Sequence, residues 1–505
     1  MDCDIRGFYK DKVIFLTGAT GFLGKVIIEK LLRSADVADV KEIYTMVRSK
    51  RGQNIQDRLK IWQADPIFEV LLRSKPDALQ RVHPIAGDCS EPDLGISEHD
   101  RKILASEVQV VIHGAATVRF SEPLHVALAI NTRATRLMLQ LAKDMKKLVA
   151  YLHVSTAYSN SVLFRIEEKF YPELLTCGSE KVLALSELVS DQVLDGMEPA
   201  LRGDFPNTYT YTKALAEDVI LKEAGSLPVS IFRPSFILPT YKEPLVGWID
   251  NLYGPIGMMF GIAFGVLRVT SIDRKVLSSL VPVDYAGNAG LASIWQTAKD
   301  RKLANPRNPD DVPPKIYAFG SGNNMLRNAH YIDYGMKLLD EIPMNKMIWC
   351  PMVFNVRSPT MYSLTAFFLH ILPGYVFDLG LRLSGKKPSL IKLYKKIHEN
   401  ISLMRYFTEN TFYFDMKNTY QIRNQISMEE RTIFEFDMES LNWNDYWKQA
   451  SRGMRMYLGK DPNTTESITQ AKKLLWKFKL ANDILIIVLA YIAGYLLWSL
   501  IKLFL

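Results

Sequence analysis

The chain has 505 residues, 62 Lys+Arg against 54 Asp+Glu for a net charge of +8, 48% hydrophobic residues and four cysteines. At about 150 residues per domain this is two or three globular domains, and ordinary Gly and Pro contents with abundant aromatics exclude a disordered, collagenous or low-complexity chain. Cys3, Cys89, Cys177 and Cys350 are scattered with no CxxC pair, which excludes a disulfide framework and a zinc module and fits a reducing compartment.

Met1 to Lys12 is polar, so no secretory signal is expected. Beyond it, short β-branched runs alternate with helical patterns. Strands are predicted at 13–16, 42–47, 82–86, 108–113, 148–154 and 229–233, the pattern of an α/β, Rossmann-type doubly wound parallel sheet.

The first predicted strand is followed by Thr17-Gly18-Ala19-Thr20-Gly21-Phe22-Leu23-Gly24 and then a helical run. Gly18 permits a tight turn, Gly21 lets the backbone approach a pyrophosphate, and Gly24 lets helix and strand pack closely. A glycine loop between the first strand and first helix of an alternating chain marks a dinucleotide site, with the phosphates on the helix N-terminus. The second strand ends in Arg48, with Lys50 and Arg51 behind it and no competing acid. Cations there suit a ribose 2′-phosphate, whereas an acid would bind a 2′-hydroxyl, so NADPH is the expected cofactor. Asp88 and Cys89, after the third strand, are expected beside the adenine, with a loop cap as the alternative for Asp88.

His153-Val154-Ser155-Thr156-Ala157-Tyr158 ends the fifth strand, where a hydroxyl can reach a substrate carbonyl. Ser155 and Thr156 point opposite ways along a strand, and the preference is slightly for Thr156. Next comes Tyr209-Thr210-Tyr211-Thr212-Lys213. On a helix, positions i and i+4 share a face, so the Lys213 ammonium is expected to lower the Tyr209 phenol pKa and make it a proton donor. His113 and His153 are expected to be structural, and no metal constellation is seen.

Three apolar stretches follow. Gly257 to Leu267 is glycine-rich and reads either as the lining of a tunnel for a greasy substrate or as packed core. Leu364 to Phe377 is interrupted by His370 and the helix-breaking pair Pro373-Gly374, and reads as a core or interfacial helix against a membrane. Ile484 to Ile501 contains no charge and has about the minimum length for a membrane-spanning helix. Lys472, Lys473, Lys477 and Lys479 precede it and Lys502 follows, which predicts a single-pass tail anchor with the bulk of the chain cytosolic. The chain ends LFL rather than SKL, so endoplasmic reticulum and peroxisome both remain open. The Pro-rich segment Asn305 to Pro314 is the clearest loop. The basic residues form no stripe, which argues against nucleic acid.

The glycine loop, strand-end hydroxyls and YxxxK, in that order, resemble the extended short-chain dehydrogenase/reductases. Further blocks narrow this to the alcohol-forming fatty acyl-CoA reductases: HGAATVRF at 113–120, Arg233-Pro234-Ser235, GWIDNLYGP at 247–255, VPVDY at 281–285, LPGYVFDLGLRLSGKKP at 372–388 and WNDYWKQASRGMRMYLGKD at 443–461. The resemblance implies a reductase domain over residues 1–345, a mainly helical family-specific domain over 346–465, a basic approach over 466–483 and the anchor over 484–501. It implies Tyr209 as proton donor, Lys213 as its tuner and ribose ligand, and Ser155 or Thr156 at the carbonyl. Ala115, Ala116 and Thr117 are expected to run past the cofactor, and Arg233 and Pro234 to lie beside it. The implied reaction takes a long-chain or very-long-chain fatty acyl-CoA to the alcohol with NADPH. A reaction stopping at the aldehyde, a membrane-bound steroid or sugar-nucleotide oxidoreductase, and a non-catalytic lipid-binding relative are the alternatives.

Overall fold

The computed structural model describes residues 4–34, 40–49, 54–303 and 313–504. By compactness the chain forms two units, each assembled from three stretches: Met1–Val246, Leu277–Leu326 and Asn410–Leu441 in the first, and Gly247–Val276, Arg327–Glu409 and Asn442–Leu505 in the second. The units interleave along the chain, so they do not coincide with a linear cut at 345/346.

The first unit is built on a seven-stranded sheet: β1 Val13–Thr17, β2 Glu42–Val47, β3 Val82–Ala86, β4 Val110–His113, β5 Ala150–Val154, β6 Val229–Pro234 and β7 Lys315–Phe319. The spatial order is β7-β6-β5-β4-β1-β2-β3, with every pairing parallel. Parallel strands covered on both faces must be apolar throughout, and β1, β4 and β6 are buried at every position. All six predicted strands form, with β4 and β5 each starting two residues later. The seventh, β7, was not anticipated from the sequence. It extends the sheet by pairing with β6 from Lys315↔Ser230 to Phe319↔Pro234. It follows the Pro-rich segment, of which residues 305–312 lie outside the described residues.

Four helices carry the main crossovers: α1 Phe22–Arg33, α2 Ala134–Asp144, α3 Thr208–Glu223 and α4 Val283–Leu303. The strand order reverses between β1 and β4, and in open parallel sheets ligands bind outside the carboxyl ends of the strands at that reversal. The late stretch Asn410–Leu441 is stitched into this unit by polar contacts. Tyr413–Phe414 pairs with Arg165–Ile166, Thr419 Oγ1 donates to the Ala318 carbonyl at 2.7 Å, and the Glu430 carboxylate accepts from Ile5 N at 3.1 Å and Arg6 Nε at 2.8 Å.

The second unit is mainly helical, with α5 Asn328–Glu341, α6 Pro359–Leu383, α7 Leu390–Glu409, α8 Trp443–Gly453 and α9 Thr465–Phe504. The Gly257 to Leu267 stretch gives a short helix, Gly254–Ala263, burying Ile256, Met259, Ile262 and Ala263. Pro373-Gly374 does not break α6 as expected. The turn Phe367–Ile371 widens to π geometry just before the proline, which accommodates its missing N–H and ring. α9 is one unbroken helix of 40 residues. Its first part docks within the unit, burying Ala471 and Leu475, with Lys479 Nζ 2.6 Å from Asp340 and Trp349 Nε1 donating to Asn482 at 3.1 Å. From Ile484 onward its described apolar side chains are exposed, Ile487 being 67% exposed and Tyr491 75%, an apolar surface that water does not tolerate at this length.

Candidate active site

The loop after β1 is shaped by two glycines that no other residue can replace. Gly18 has φ +82°, and a Cβ there would meet Gly114 C at 2.7 Å; a Cβ on Gly24 would come within 2.3 Å of the Gly18 carbonyl oxygen. Gly21 N–H donates to the Gly18 carbonyl at 2.9 Å. Gly21 is also the N-cap of α1 and offers no side chain to its first turn, so the helix N-terminus is left to an external anion. Thr20 and Gly21 lie on the open side of the loop, with Phe22 and Leu23 in the first turn of α1. The residues fit a dinucleotide pyrophosphate. Trp62, which sequence reasoning missed, fixes the loop from behind by donating Nε1–H to the Ala19 carbonyl at 3.1 Å.

Thr17 ends β1 beneath the loop. It is buried, accepting from Ala115 N–H at 3.2 Å and lying 2.8 Å from His113 Nδ1. It therefore ties the end of β1 to the loop after β4. In that loop Thr117 N–H donates to Asn131 Oδ1 at 3.0 Å, and Asn131 Nδ2 donates to the Thr117 carbonyl at 3.2 Å and Thr212 Oγ1 at 3.0 Å. Thr117 Oγ1 donates to Glu122 at 2.8 Å, so its side chain holds the loop. Ala115 and Ala116 are half-buried beside it.

Arg48 is exposed at the end of β2. Arg58, another residue missed from sequence, donates Nη1–H to the Arg48 carbonyl, and its pKa is lowered by burial and then by the Arg48 charge. Two guanidinium groups are thus gathered at one strand end; among the described residues neither has a carboxylate partner. Lys50 and Arg51 lie outside the described residues. After β3, Asp88 is the loop cap, accepting from Ser90 N–H at 2.9 Å and Ser90 Oγ at 2.8 Å. Cys89 is packed into the core, where burial pushes its thiol up to about 12.

The carboxyl end of β5 and the first turn of α3 bring the chemistry together. Asn207 caps α3, its Oδ1 accepting from Thr210 N–H at 2.9 Å, which places Tyr209 in the first turn with its ring against Phe120, centroids 5.9 Å apart. Thr156 Oγ1 lies 3.3 Å from Tyr158 N, accepting its N–H, and the Thr156 hydroxyl acts on the Tyr209 phenol to lower its pKa. One turn further, Lys213 Nζ donates to the Val154 carbonyl at 2.7 Å. Burial dominates both titrations, raising Tyr209 to about 12, opposed by the Thr156 hydrogen bond, and lowering Lys213 to about 8. The resting phenol is thus raised, where a lowering was expected from the sequence, because burial dominates its titration. The phenol is accordingly protonated at neutral pH and able to donate.

Ser155 faces the other way. Its Oγ donates to Glu217 Oε1 at 2.5 Å, and Glu217 is held by Arg233 through Nε at 3.0 Å and Nη2 at 2.6 Å. Arg233 also donates to the Glu167 and Lys169 carbonyls at 3.0 and 2.9 Å. The Arg233 side chain, expected beside the cofactor, is therefore committed to a buried ion pair behind β5, and the Pro234 carbonyl accepts from Ala157 N–H at 2.9 Å.

His113 and His153 are buried and both have lowered pKa values, chiefly by desolvation, His113 to about 3. The unfolded chain takes up the proton near pH 6.5 and the folded chain does not, so stability falls as pH drops below 6.5 and keeps falling until about 3. From pH 7 to 5 His113 alone costs about 2 kcal/mol, and His153 adds in the same direction. A denaturation midpoint of the wild type that drops over this interval, with a smaller drop in His113→Gln, is the expected result.

The geometry meets known proteins at several points. Sequence profiles described as male sterility protein match residues 16–289 and 369–461. Fatty acyl-CoA reductase wat of Drosophila melanogaster is 39% identical over 500 residues, covering 99% of this chain and 93% of that one. Fatty acyl-CoA reductase 1 of Xenopus laevis is 35% identical, covering 90% and 86%, and fatty acyl-CoA reductase 2 of Mus musculus 34%, covering 95% and 92%. Among solved structures, the terminal R domain of the myxalamid PKS-NRPS biosynthetic pathway superposes with a TM-score of 0.56 at 19% identity, covering 88% of this chain and 90% of that one. The reductase domain of a non-ribosomal peptide synthetase from Mycobacterium tuberculosis gives 0.53 at 15%, covering 89% and 92%. These two likenesses concern the fold.

Proposed function

The chain belongs to the fatty acyl-CoA reductase family, and on that footing we propose that it reduces a long-chain fatty acyl-CoA to the fatty alcohol with NADPH, releasing CoA. The observation that carries the reading is Tyr209 in the first turn of α3 with its ring against Phe120, and Lys213 one turn on, donating to the Val154 carbonyl at the end of β5, beside a sheet whose first strand leads into a glycine loop shaped for a pyrophosphate.

NADPH, when bound, would supply the hydride from its nicotinamide. As charge develops on the thioester oxygen, the Tyr209 O–H donates its proton and the Thr156 hydroxyl holds the oxygen in place. Lys213, cationic at pH 7 with its pKa at about 8, favours the transient phenolate and orients the ribose. Glu217 and Arg233 keep Ser155, and with it the neighbouring Thr156, in register. Collapse of the thiohemiacetal expels the CoA thiolate, which is protonated, and Tyr209 serves again when the aldehyde is reduced. The whole conversion uses two hydrides and two protons per thioester.

Arg48 and Arg58 support the choice of NADPH, as a pair of guanidiniums for the 2′-phosphate; the position of Arg51 just beyond Arg48 suits the same role. Replacing Arg48 and Arg58 together by Ala is expected to raise the KM for NADPH about 10- to 100-fold, the value of a charge-assisted contact or two, and to leave the KM for NADH nearly unchanged. Equal effects on both cofactors would remove the pair from 2′-phosphate recognition.

The bare part of α9 is proposed as a tail anchor, with Lys472, Lys473, Lys477 and Lys479 keeping the catalytic unit cytosolic. The test of the activity is NADPH oxidation with an acyl-CoA series from short to very long chains, scored for free CoA and alcohol. Two NADPH per CoA is the expected ratio; one would place the end point at the aldehyde, and no oxidation with any chain would overturn the proposal.

A further inference from the structure

Besides α9, the second unit carries another apolar surface. α6 exposes Met361, Leu364, Phe367, Phe368, Tyr375, Val376, Phe377 and Leu379; it is 25 residues long and contains an 18-residue stretch with a mean hydropathy of 1.5, enough in length and composition to cross a bilayer. Three of its polar side chains, Tyr362, His370 and Asp378, are turned toward α7 and the turn before it. Tyr362 OH is 2.8 Å from His398 Nδ1, His370 Nδ1 is 3.2 Å from His398 Nε2, and the His370 ring stacks on Tyr394 at 4.7 Å. A Cβ on Gly374 would meet Ile391 at 2.8 Å and Tyr394 at 3.2 Å. Asp378 Oδ1 accepts from Ser389 and Leu390 N–H at 3.0 and 2.9 Å, and its Oδ2 from Ile391 N–H at 3.1 Å.

Positions 362, 370, 374 and 378 of α6 meet 398, 394, 391 and 390 of α7, so α7 runs back antiparallel along α6. A hairpin packed this way crosses a membrane as a pair or not at all. α7 cannot cross, because Lys392, Lys395, Lys396 and Glu399 are exposed along it and each would enter hydrocarbon unpaired. The apolar face of α6 is equally unsuited to water. Between residues 382 and 396 the chain has six basic residues and no acidic one: Arg382, Lys386, Lys387, Lys392, Lys395 and Lys396, all exposed. The same apolar face holds an open recess of about 290 Å³ bordered by Phe354, Leu364, Phe368 and Leu369.

We propose that the α6–α7 hairpin lies in the plane of an anionic bilayer surface, its apolar face sunk to the acyl boundary and its lysines at the level of the phosphates, as a membrane contact separate from α9. Interfacial helices with a basic polar side behave in this way, and the recess then opens toward acyl chains.

The test uses the full-length chain reconstituted in phosphatidylcholine vesicles with and without phosphatidylserine. A bimane probe on Phe377→Cys reports depth, and an impermeant maleimide reports access to Lys387→Cys, each compared with the parent chain. Expected are quenching of the probe by shallow but not mid-bilayer nitroxide lipids, at least twofold stronger with phosphatidylserine, and labelling of position 387 from the side on which the reductase activity is measured. Labelling at 387 only after permeabilisation would show that α6 spans and overturn the proposal. Quenching by aqueous iodide instead of lipid nitroxides, or equal lipid quenching in the two vesicle types, would also overturn it. Flotation with the vesicles reads the α9 anchor independently, so failure of one membrane contact is not mistaken for failure of the other.

Discussion

Tyr209→Phe is expected to lower kcat with NADPH and a long-chain acyl-CoA by about 10²- to 10⁴-fold, the usual contribution of a positioned general acid. The substitution removes one hydroxyl and leaves the ring against Phe120, 5.9 Å between centroids, so folding and cofactor affinity should stay close to wild type. Thr156 remains to hold the oxygen but, with an ordinary alcohol pKa, cannot replace the phenol as proton source. Steady-state kinetics beside a cofactor titration checks this. A variant that keeps wild-type kcat would take the proton-donor role away from Tyr209, whereas one that loses NADPH binding would reassign it to cofactor placement.

Arg233→Met should be the most damaging single change to stability away from the glycine loop. Arg233 and Glu217 have side-chain exposures of 1% and 4% and meet at 2.6 Å. Removing the guanidinium leaves the Glu217 carboxylate buried, with the Ser155 hydroxyl at 2.5 Å and Asn160 Nδ2 at 3.4 Å but no opposite charge in bonding contact. Breaking one side of a buried pair costs about 3 to 5 kcal/mol, which for a domain this large lowers the melting temperature by roughly 10 °C. The double variant Arg233→Met, Glu217→Met should recover most of that loss, since two apolar side chains replace two charges. Thermal melts in detergent micelles check both. A single variant as stable as wild type would mean that water reaches the pair.

The sheet was legible in the sequence because a parallel strand covered on both faces has to be a short unbroken apolar run, as VIFLT and VVIH are. β7 escaped notice because KIYAF sits directly after a proline-rich stretch and a six-stranded count already looked complete. Tyr209, Lys213 and the glycine loop were found by spacing, which a helix and a tight turn convert directly into geometry. Arg58, Asn131 and Glu217 were not, since each acquires its role from a partner on another element: the Arg48 carbonyl, the loop after β4, and the Ser155 and Arg233 side chains. The choice between Ser155 and Thr156 depends on which side of β5 is open, and the Ser155 hydroxyl bound to the buried Glu217 is the ground for proposing Thr156. Nor does local pattern reveal that Asn410–Leu441 returns to the first unit, because its ties, such as Thr419 to Ala318 and Glu430 to Ile5, span from about one hundred to more than four hundred residues of chain.

The family membership and the site proposed at the end of β5 lead to one reaction, two successive hydride additions to the same carbon. Incubating the full-length protein with a long-chain acyl-CoA and NADPH deuterated at the transferable position of the nicotinamide ring follows that carbon directly. Mass spectrometry should find a fatty alcohol carrying two deuterons on its first carbon, with one CoA released per two NADPH oxidised. An alcohol without deuterium at that carbon, or an acyl-CoA left intact while NADPH persists, would contradict the account.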